Sequence, residues 1–462
     1  KSTTTMTASL PTHPTGWRKA ITMLNEFSVA FGQFWSECWA LVEALTPWEL
    51  ALIMWPFVFL SIPRYILSEL IVLGQVFRTE PAEKVRFRQQ LAMQKPLVSI
   101  LLPGYNEAET LETTVLSLRE QSYPNLEIIV VSDGSTDGMD EIGRRLARRG
   151  WIRYFEHRQR GGKSSAENFA ANAARGDYMV ICDADSTFDR DSVWHLLVEF
   201  YDPEVQAVAG NLRVRNATTN LLTRCQAIQY LFSIGVGRRA SAAAGTLSIV
   251  SGAFGALRSS VVRQVGGWEA GPGEDGDLTT KICLAGGKVG FAPRAMCMTD
   301  APDIWWGYFR QQLRWNRSVV RFRIRKYRGI FNPFSRTFST RNLLAALDEV
   351  VFEVIFAISL PIYVTWMLLN HAEMFWQVTA LVSVLYVLVN VFHYFIALAV
   401  SERPNLDWPM APYLPLYGFF TGLYLRTVRL LAYADEYIFK RSYWETYVPE
   451  YVQAQSRKFD SW

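Results

Sequence analysis

Hydrophobic and polar positions divide the chain into three kinds of text. Residues 48 to 76, WELALIMWPFVFLSIPRYILSELIVLGQV, are apolar for longer than the roughly 20 residues that a bilayer-spanning helix needs. Pro56 and Pro63 predict a kink, and Arg64 and Glu69 must face protein, because charge is costly in lipid. Residues 27 to 46 are apolar and aromatic but hold Glu37 and Glu43, which fits either a span or an interfacial helix. From residue 96 to about 300, short apolar runs alternate with amphipathic ones. LVSILLPGYNE and LEIIVVSDGSTDG read as buried strands entering turns, and YMVICDADS as a third strand ending in acids. ETLETTVLSLREQ and MDEIGRRLARRG have helical spacing. The alternation predicts parallel βαβ units, whose ligands bind beyond the carboxyl ends of the strands. After about residue 340 the chain is apolar again, with candidate spans at 350–369, 375–400 and 411–432.

The expected organisation follows from that pattern. A flexible terminus (1–26) precedes membrane or interfacial helices (27–77) and a basic linker (78–95). The α/β domain (96–302) is followed by interfacial helices (303–345), transmembrane helices (346–432) and a tail (433–462). Lys- and Arg-rich segments at 78–95 and 310–328 flank the α/β domain, so the positive-inside rule sets it in the cytoplasm.

Composition sharpens the class. A net charge of +4 over 462 residues is too small for a dedicated nucleic-acid binder, so no nucleic-acid partner is expected. Sixteen Trp and 14% aromatic residues suit membrane-interface belts. The five cysteines, Cys38, Cys182, Cys225, Cys283 and Cys297, lack CxxC spacing, which argues for free buried thiols over disulfides or zinc. The first twenty residues have no basic run leading into an apolar core, so they do not read as a signal peptide.

Four polar clusters could carry chemistry. PGYNE (103–107) and SDGSTD (132–137) follow apolar strands, where an Asp can accept hydrogen bonds from a base or ribose; plain turn chemistry explains either one alone. In ICDADST, Asp183 and Asp185 repel unless something positive binds, and two carboxylates with phosphate oxygens suit Mg²⁺ or Mn²⁺; the bland alternative is a solvated acidic turn. In GPGEDGDLTTKI, Glu274 and Asp275 either favour a helix N-terminus or supply a general base. In YFRQQLRWNRSVVRFRIRKYR (308–328), Gln311, Arg314 and Trp315 share one helical face. A guanidinium there can grip a pyrophosphate and an indole can stack on a sugar. The alternative is an amphipathic membrane anchor. Arg310, Arg314, Arg317, Arg321, Arg325 and Arg328 form one stripe if the helix runs unbroken, and its outer turns are expected to lie on a cytoplasmic leaflet.

Strand-end Asp, DxD, G-E-D and Q-x-x-R-W, in that order over residues 96–318, resemble the processive, membrane-embedded family 2 glycosyltransferases that make cellulose, chitin, hyaluronan and poly-N-acetylglucosamine. The resemblance implies an α/β GT-A domain, a mostly parallel sheet with helices on both faces, inserted between α-helical transmembrane segments. It implies a nucleotide-diphosphate sugar donor, such as UDP-glucose or UDP-N-acetylglucosamine, a divalent cation and a growing polysaccharide acceptor. By matched position, Tyr105, Glu107, Asp133 and Lys163 would bind the nucleotide, with Asp183, Gln311 and Arg314. Asp183 and Asp185 would hold the metal, with Asp185 the direct ligand. Ser251, Gly252 and Trp315 would meet the acceptor, and Asp275 beside Glu274 would be the base.

Departures from the family are Ser132 in place of the first Asp of D-D-G, and no F-x-V-T-x-[KR] gating loop beyond the poor candidate FSTRN at 338–342. The last 30 residues are too short for a PilZ domain, so an in-chain receptor for cyclic-di-GMP is not expected. A lipid bilayer is the expected surrounding, with a small accessory subunit or a second copy of the chain compatible as partner. The expectation is a processive inverting synthase of a bacterial-type inner membrane. Its rivals are a transferase adding one sugar to a lipid carrier, and a transporter with a degenerate enzyme domain, against which the intact acids argue.

Overall fold

A computed structural model describes residues 15–271, 273–335, 338–444 and 448–459. Residues 1–14 of the expected flexible terminus lie outside these, but a helix already starts at Thr15 and runs to Ala44. The correction has a simple cause: Pro14 is the last proline before Pro47, so nothing breaks the helix.

Eight strands build one sheet: β1 (Val98–Gly104), β2 (Leu126–Ser132), β3 (Arg153–Glu156), β4 (Tyr178–Cys182), β5 (Thr187–Phe188), β6 (Val205–Val214), β7 (Phe254–Arg258) and β8 (Lys288–Thr299). Their order is β3-β2-β1-β4-β7-β6-β8-β5. Neighbours β3-β2-β1-β4 are parallel, as are β6 and β8. Strand β7 runs antiparallel to both β4 and β6, and β5 antiparallel to β8. The sheet is therefore mixed, because the chain returns from the helical segment 221–243 in the opposite direction. YMVICDADS is the fourth strand, not the third; β3 went unread because it is only four half-exposed residues. The core sits on β1, β2 and β4, where Ile100, Leu101, Ile129, Val130, Val131 and Val180 are wholly buried.

Among the described residues, two helical segments are long and apolar enough to cross a membrane by length and composition: Phe57–Val76 and Ala372–Ala399. Residues 340–370 and 414–439 are helical too, with π-wound turns at Val350–Ile355 and Phe420–Leu425. Glu69 does face protein, as its cost in lipid requires. Its Oε1 lies 2.8 Å from His393 Nδ1, both residues are buried, and the imidazole packs edge-on to Phe232 and Tyr65.

The basic stretch corrects the expected leaflet-bound stripe. The α-helix Trp305–Val319 gives way to π turns over Val320–Lys326 and stops at Tyr327, so the stripe does not continue along one face. The charges from Arg321 to Lys326 turn inward, while Arg310 and Arg328 stay exposed. Arg321 is 3% exposed and donates to the Ala270 carbonyl. Arg323 pairs with Glu349 at 2.5 Å, and Arg325 with Glu436 at 2.9 Å. Lys326 lies 2.5 Å from both Asp277 and Glu269, and Tyr327 donates to Asp277. Asp277 belongs to the helix Glu274–Leu284, so the basic stretch fixes the helix that carries Glu274 and Asp275. The tail returns as well: Tyr451 donates to the Arg160 carbonyl, and Pro449 reaches Gly162.

Candidate active site

The turns after β1 and β2 are stitched together. Asn106, in a left-handed conformation at φ 59°, accepts from the Thr136 amide through Oδ1, while Asp137 accepts from the Ala108 amide. Asp133 at the end of β2 is 3% exposed. Its Oδ1 accepts from the Gly161 amide at 2.7 Å and lies 3.2 Å from His157 Nδ1; its Oδ2 accepts from the Gly162 amide at 2.7 Å. Asp133 thus fastens the Arg160–Lys163 loop to the sheet. Gly134 serves the same approach: at φ +73° a Cβ would lie 2.9 Å from the Arg160 amide nitrogen. Arg160 lies over the Tyr105 ring, 3.9 Å from its centre.

Lys163 opens the helix Lys163–Ala173, which packs on β1 and β2. Its Nζ is 2.5 Å from Asp183 Oδ1 and 3.9 Å from Glu274 Oε1. The same helix is tied to the return loop, Ser164 to the Glu269 carbonyl and Asn168 to both backbone polar groups of Trp268. That loop delivers Glu274 and Asp275 to the cluster. The Gly252 amide donates to Asp275 Oδ2 at 3.1 Å, and the Gly276 amide to Oδ1 at 2.8 Å. A Cβ on Gly252 would meet Lys163 Nζ at 3.0 Å, so this segment touches the cluster closely. Gly273, at φ +80°, lies against Ser318 and Phe322, which presses the helix of Gln311, Arg314 and Trp315 onto the same turn.

The structure therefore gathers Lys163, Asp183, Gly252, Glu274 and Asp275, with Asp185 and Glu107 alongside. Gln311 Oε1 is buried without a hydrogen-bond partner, and Trp315 is 42% exposed; among the described residues neither bonds to the acids. Ser251 adjoins Gly252 and accepts the Phe254 amide through its carbonyl.

Electrostatics mark the cluster as short of positive charge. Burial pushes Glu274 up to about 7, with Asp275 adding to the shift. Burial raises Asp185, helped by Asp183, and raises Glu107, helped by Asp185 and Asp183. Among the described residues, no group of three or more His, Cys, Asp or Glu could hold a metal. Two strand-end carboxylates suit a hard divalent cation that takes its other oxygens from a diphosphate or water, so Asp183 and Asp185 fit one.

Sequence reading missed several members. Glu167, one helical turn after Lys163, is 1% exposed with Oε2 unpartnered, and burial raises it well above the usual range. Its spacing of four from Lys163 was the available signal. Arg160 and His157 carried no motif, and Asn106 lies within PGYNE but was given no role there.

Residues 99–266 match the family model described as glycosyl transferase family 2. The chain carries a family 2 glycosyltransferase domain. The poly-beta-1,6-N-acetyl-D-glucosamine synthase of Staphylococcus aureus (strain COL) is 32% identical over 220 residues, 47% of this chain and 53% of that protein. The synthase of the same name from Staphylococcus epidermidis matches to the same extent. The chain spans about half the length of the curated relatives it matches. Among solved structures, the mannosyltransferase PcManGT from Pyrobaculum calidifontis, in complex with GDP-Man and Mn2+, superposes with a TM-score of 0.51 at 21% identity. It covers 77% of this chain and 99% of that one, so the glycosyltransferase domain and its setting share that fold.

Proposed function

We propose that the chain is a processive inverting glycosyltransferase that polymerises a nucleotide-activated sugar into a β-linked polysaccharide and extrudes it across a cytoplasmic membrane. The observation that carries this reading is the convergence of Lys163, Asp183, Glu274 and Asp275 at the carboxyl ends of the strands, with the Gly252 amide on Asp275. The names of the matched relatives favour UDP-N-acetylglucosamine over UDP-glucose as donor.

In this reading Tyr105, Glu107 and Asp133 form the nucleotide end of the site, with Asp133 acting through the loop it fastens. Lys163, Gln311 and Arg314 face the diphosphate and stabilise the charge that develops on it. Asp183 and Asp185 would hold Mg²⁺ or Mn²⁺, which supplies further charge neutralisation when bound. Asp275 removes the proton from the acceptor hydroxyl, with Glu274 shaping its field. The hydroxyl oxygen bonds to the anomeric carbon as the bond to the diphosphate oxygen breaks, so an α-linked donor gives a β-linkage and UDP leaves. Ser251, Gly252 and Trp315 line the acceptor side.

Membrane seating by Phe57–Val76 and Ala372–Ala399, with further helices beside them, puts the catalytic domain in the cytoplasm under the positive-inside rule. The test is a panel of UDP- and GDP-sugars given to the purified chain in nanodiscs, reading nucleotide release and product length. Polymer from UDP-N-acetylglucosamine is expected; a single sugar on a lipid carrier would replace this reading with the non-processive one.

A further inference from the structure

We propose that the C-terminal tail builds a wall of the donor site: Val448 keeps water from the pocket beside Lys163, and Tyr451 positions the Arg160–Lys163 loop for a nucleoside diphosphate. The proposal rests on the reading of Lys163, Asp183 and Glu274 as the donor side of the site. A pocket lies between the loop and the turn that leads into Glu274, and its lining includes Gly161, Gly162, Lys163, Gly271, Glu274 and, from the tail, Val448. The Tyr451 hydroxyl donates to the Arg160 carbonyl. A Cβ on Gly162 would stand 3.5 Å from Pro449 Cδ and 4.0 Å from Val448 Cγ1, so the loop backbone packs directly on the tail. The loop is thus held twice: Asp133 accepts from its Gly161 and Gly162 amides, and the tail takes the Arg160 carbonyl.

Several contacts keep the tail in this place. Glu436 accepts from the Ser442 amide and hydroxyl, which fixes the root of the tail. Next to it, the Arg321 guanidinium lies 4.9 Å from the centre of the buried Tyr443 ring and donates to the carbonyl of Ala270, a residue of the same pocket. Further on, Gln453 Nε2 donates to the Val448 carbonyl at 2.7 Å and closes the turn that presents Val448. An apolar side chain at that point lowers the local dielectric beside Lys163, which strengthens the pull of its ammonium on a diphosphate. Tyr451 acts at one remove, because it holds the backbone of Arg160, whose guanidinium lies over the Tyr105 ring at the nucleotide end. These contacts fall on the donor half of the site, so the tail sets donor affinity.

The experiment compares wild type, Tyr451→Phe, Val448→Asn and Val448→Asp, each full length in nanodiscs with Mn²⁺. It reads the Kd of UDP by titration calorimetry and the KM values of UDP-N-acetylglucosamine and of a β-1,6-linked N-acetylglucosamine pentasaccharide. Val448→Asn and Val448→Asp have the same shape and differ in charge. Val448→Asp is expected to weaken UDP and raise the donor KM by about tenfold or more relative to Val448→Asn, because a carboxylate on the pocket wall repels the diphosphate. Tyr451→Phe loses one hydrogen bond and should raise the donor KM by about threefold, with the acceptor KM within about twofold of wild type. Equal donor KM values for the two Val448 variants, with an unchanged donor KM for Tyr451→Phe, overturn the tail assignment alone. So do equal shifts in both KM values, which mark a merely structural tail, and a fall in donor KM, which marks a tail that blocks the site. A wild type that binds no UDP overturns the reading of the site itself.

Discussion

Lys163 Nζ lies 2.5 Å from Asp183 Oδ1 and within 4 Å of Glu274, so one ammonium serves two acids that a donor diphosphate and a cation would also need. Lys163 is thus the charge around which the site is arranged. Replacing it with Met leaves Asp183, Glu274 and buried Glu167 without their nearest cation. Lys163→Met is expected to lower transfer by about 10² or more, from the loss of a charge-assisted partner. Lys163→Arg should keep the fold and part of the activity. Steady-state kinetics with both variants check this, and full activity in Lys163→Met would remove Lys163 from the donor site.

Asp275→Asn should abolish transfer, a loss of about 10² to 10⁴ from removing a general base, while nucleotide binding persists. The amide is isosteric, and its single oxygen can still accept from one of the two amides, Gly252 or Gly276, that bond to the carboxylate. Isothermal titration with UDP beside a transfer assay separates the two effects. Binding lost together with transfer would mean that Asp275 is structural.

Glu274 gives a pH-dependent prediction. Its pKa rises from an ordinary 4.5 to about 7 on folding, because burial disfavours the ionised form and Asp275 repels it. The folded state therefore holds the proton more tightly than the unfolded chain. Its stabilising contribution is complete below about pH 4.5 and is lost as pH rises through about 7, worth about 3 kcal/mol in all. Glu274→Gln removes that loss. The variant should unfold at a higher temperature than wild type at pH 8 and at the same temperature near pH 4. A variant less stable at pH 8 would show that Lys163 more than compensates the ionised carboxylate.

Glu69 and His393 make a buried polar contact between two apolar helices. Changing either to Leu leaves a polar partner stranded, whereas changing both removes the pair. The double-mutant cycle should show a coupling of about 1 kcal/mol in thermal unfolding. Strict additivity would mean that the two side chains do not support one another.

Local pattern made some of the molecule legible and left other parts out of reach. The strands β1, β2 and β4 were readable because unbroken runs of Ile, Val and Leu end in turn residues. Strands β6 and β7 hold Ala and Gly where bulky residues would mark a strand, and β7's reversed direction is a property of topology that no local pattern encodes. The acids of DxD and G-E-D stood out by spacing. Glu167 did not, since its spacing of four from Lys163 gains meaning only when the fold buries it beside Glu274 and Asp183. The structure gives Asp133 a task that its motif does not reveal: its oxygens accept from loop amides, which only the folded loop brings near.

The basic stretch yields the last prediction. As a surface anchor, all its arginines would matter mildly and alike, because exposed charge pairs contribute about 1 kcal/mol or less. Inward pairing makes them unequal. Glu436 is wholly buried and accepts from Arg325, Ser442 Oγ and the Ser442 amide. Arg325→Ala strands that carboxylate and should cost about 3 kcal/mol or more, the usual penalty for breaking one side of a buried pair. Arg310 is exposed, and Arg310→Ala should cost less than about 1 kcal/mol. Arg323→Ala should resemble Arg325→Ala, because Glu349 and Thr280 lose their shared donor. Thermal unfolding of the three variants in detergent, where no leaflet exists to seat an anchor, reads this difference. Equal and small losses there would restore the stripe to the membrane surface.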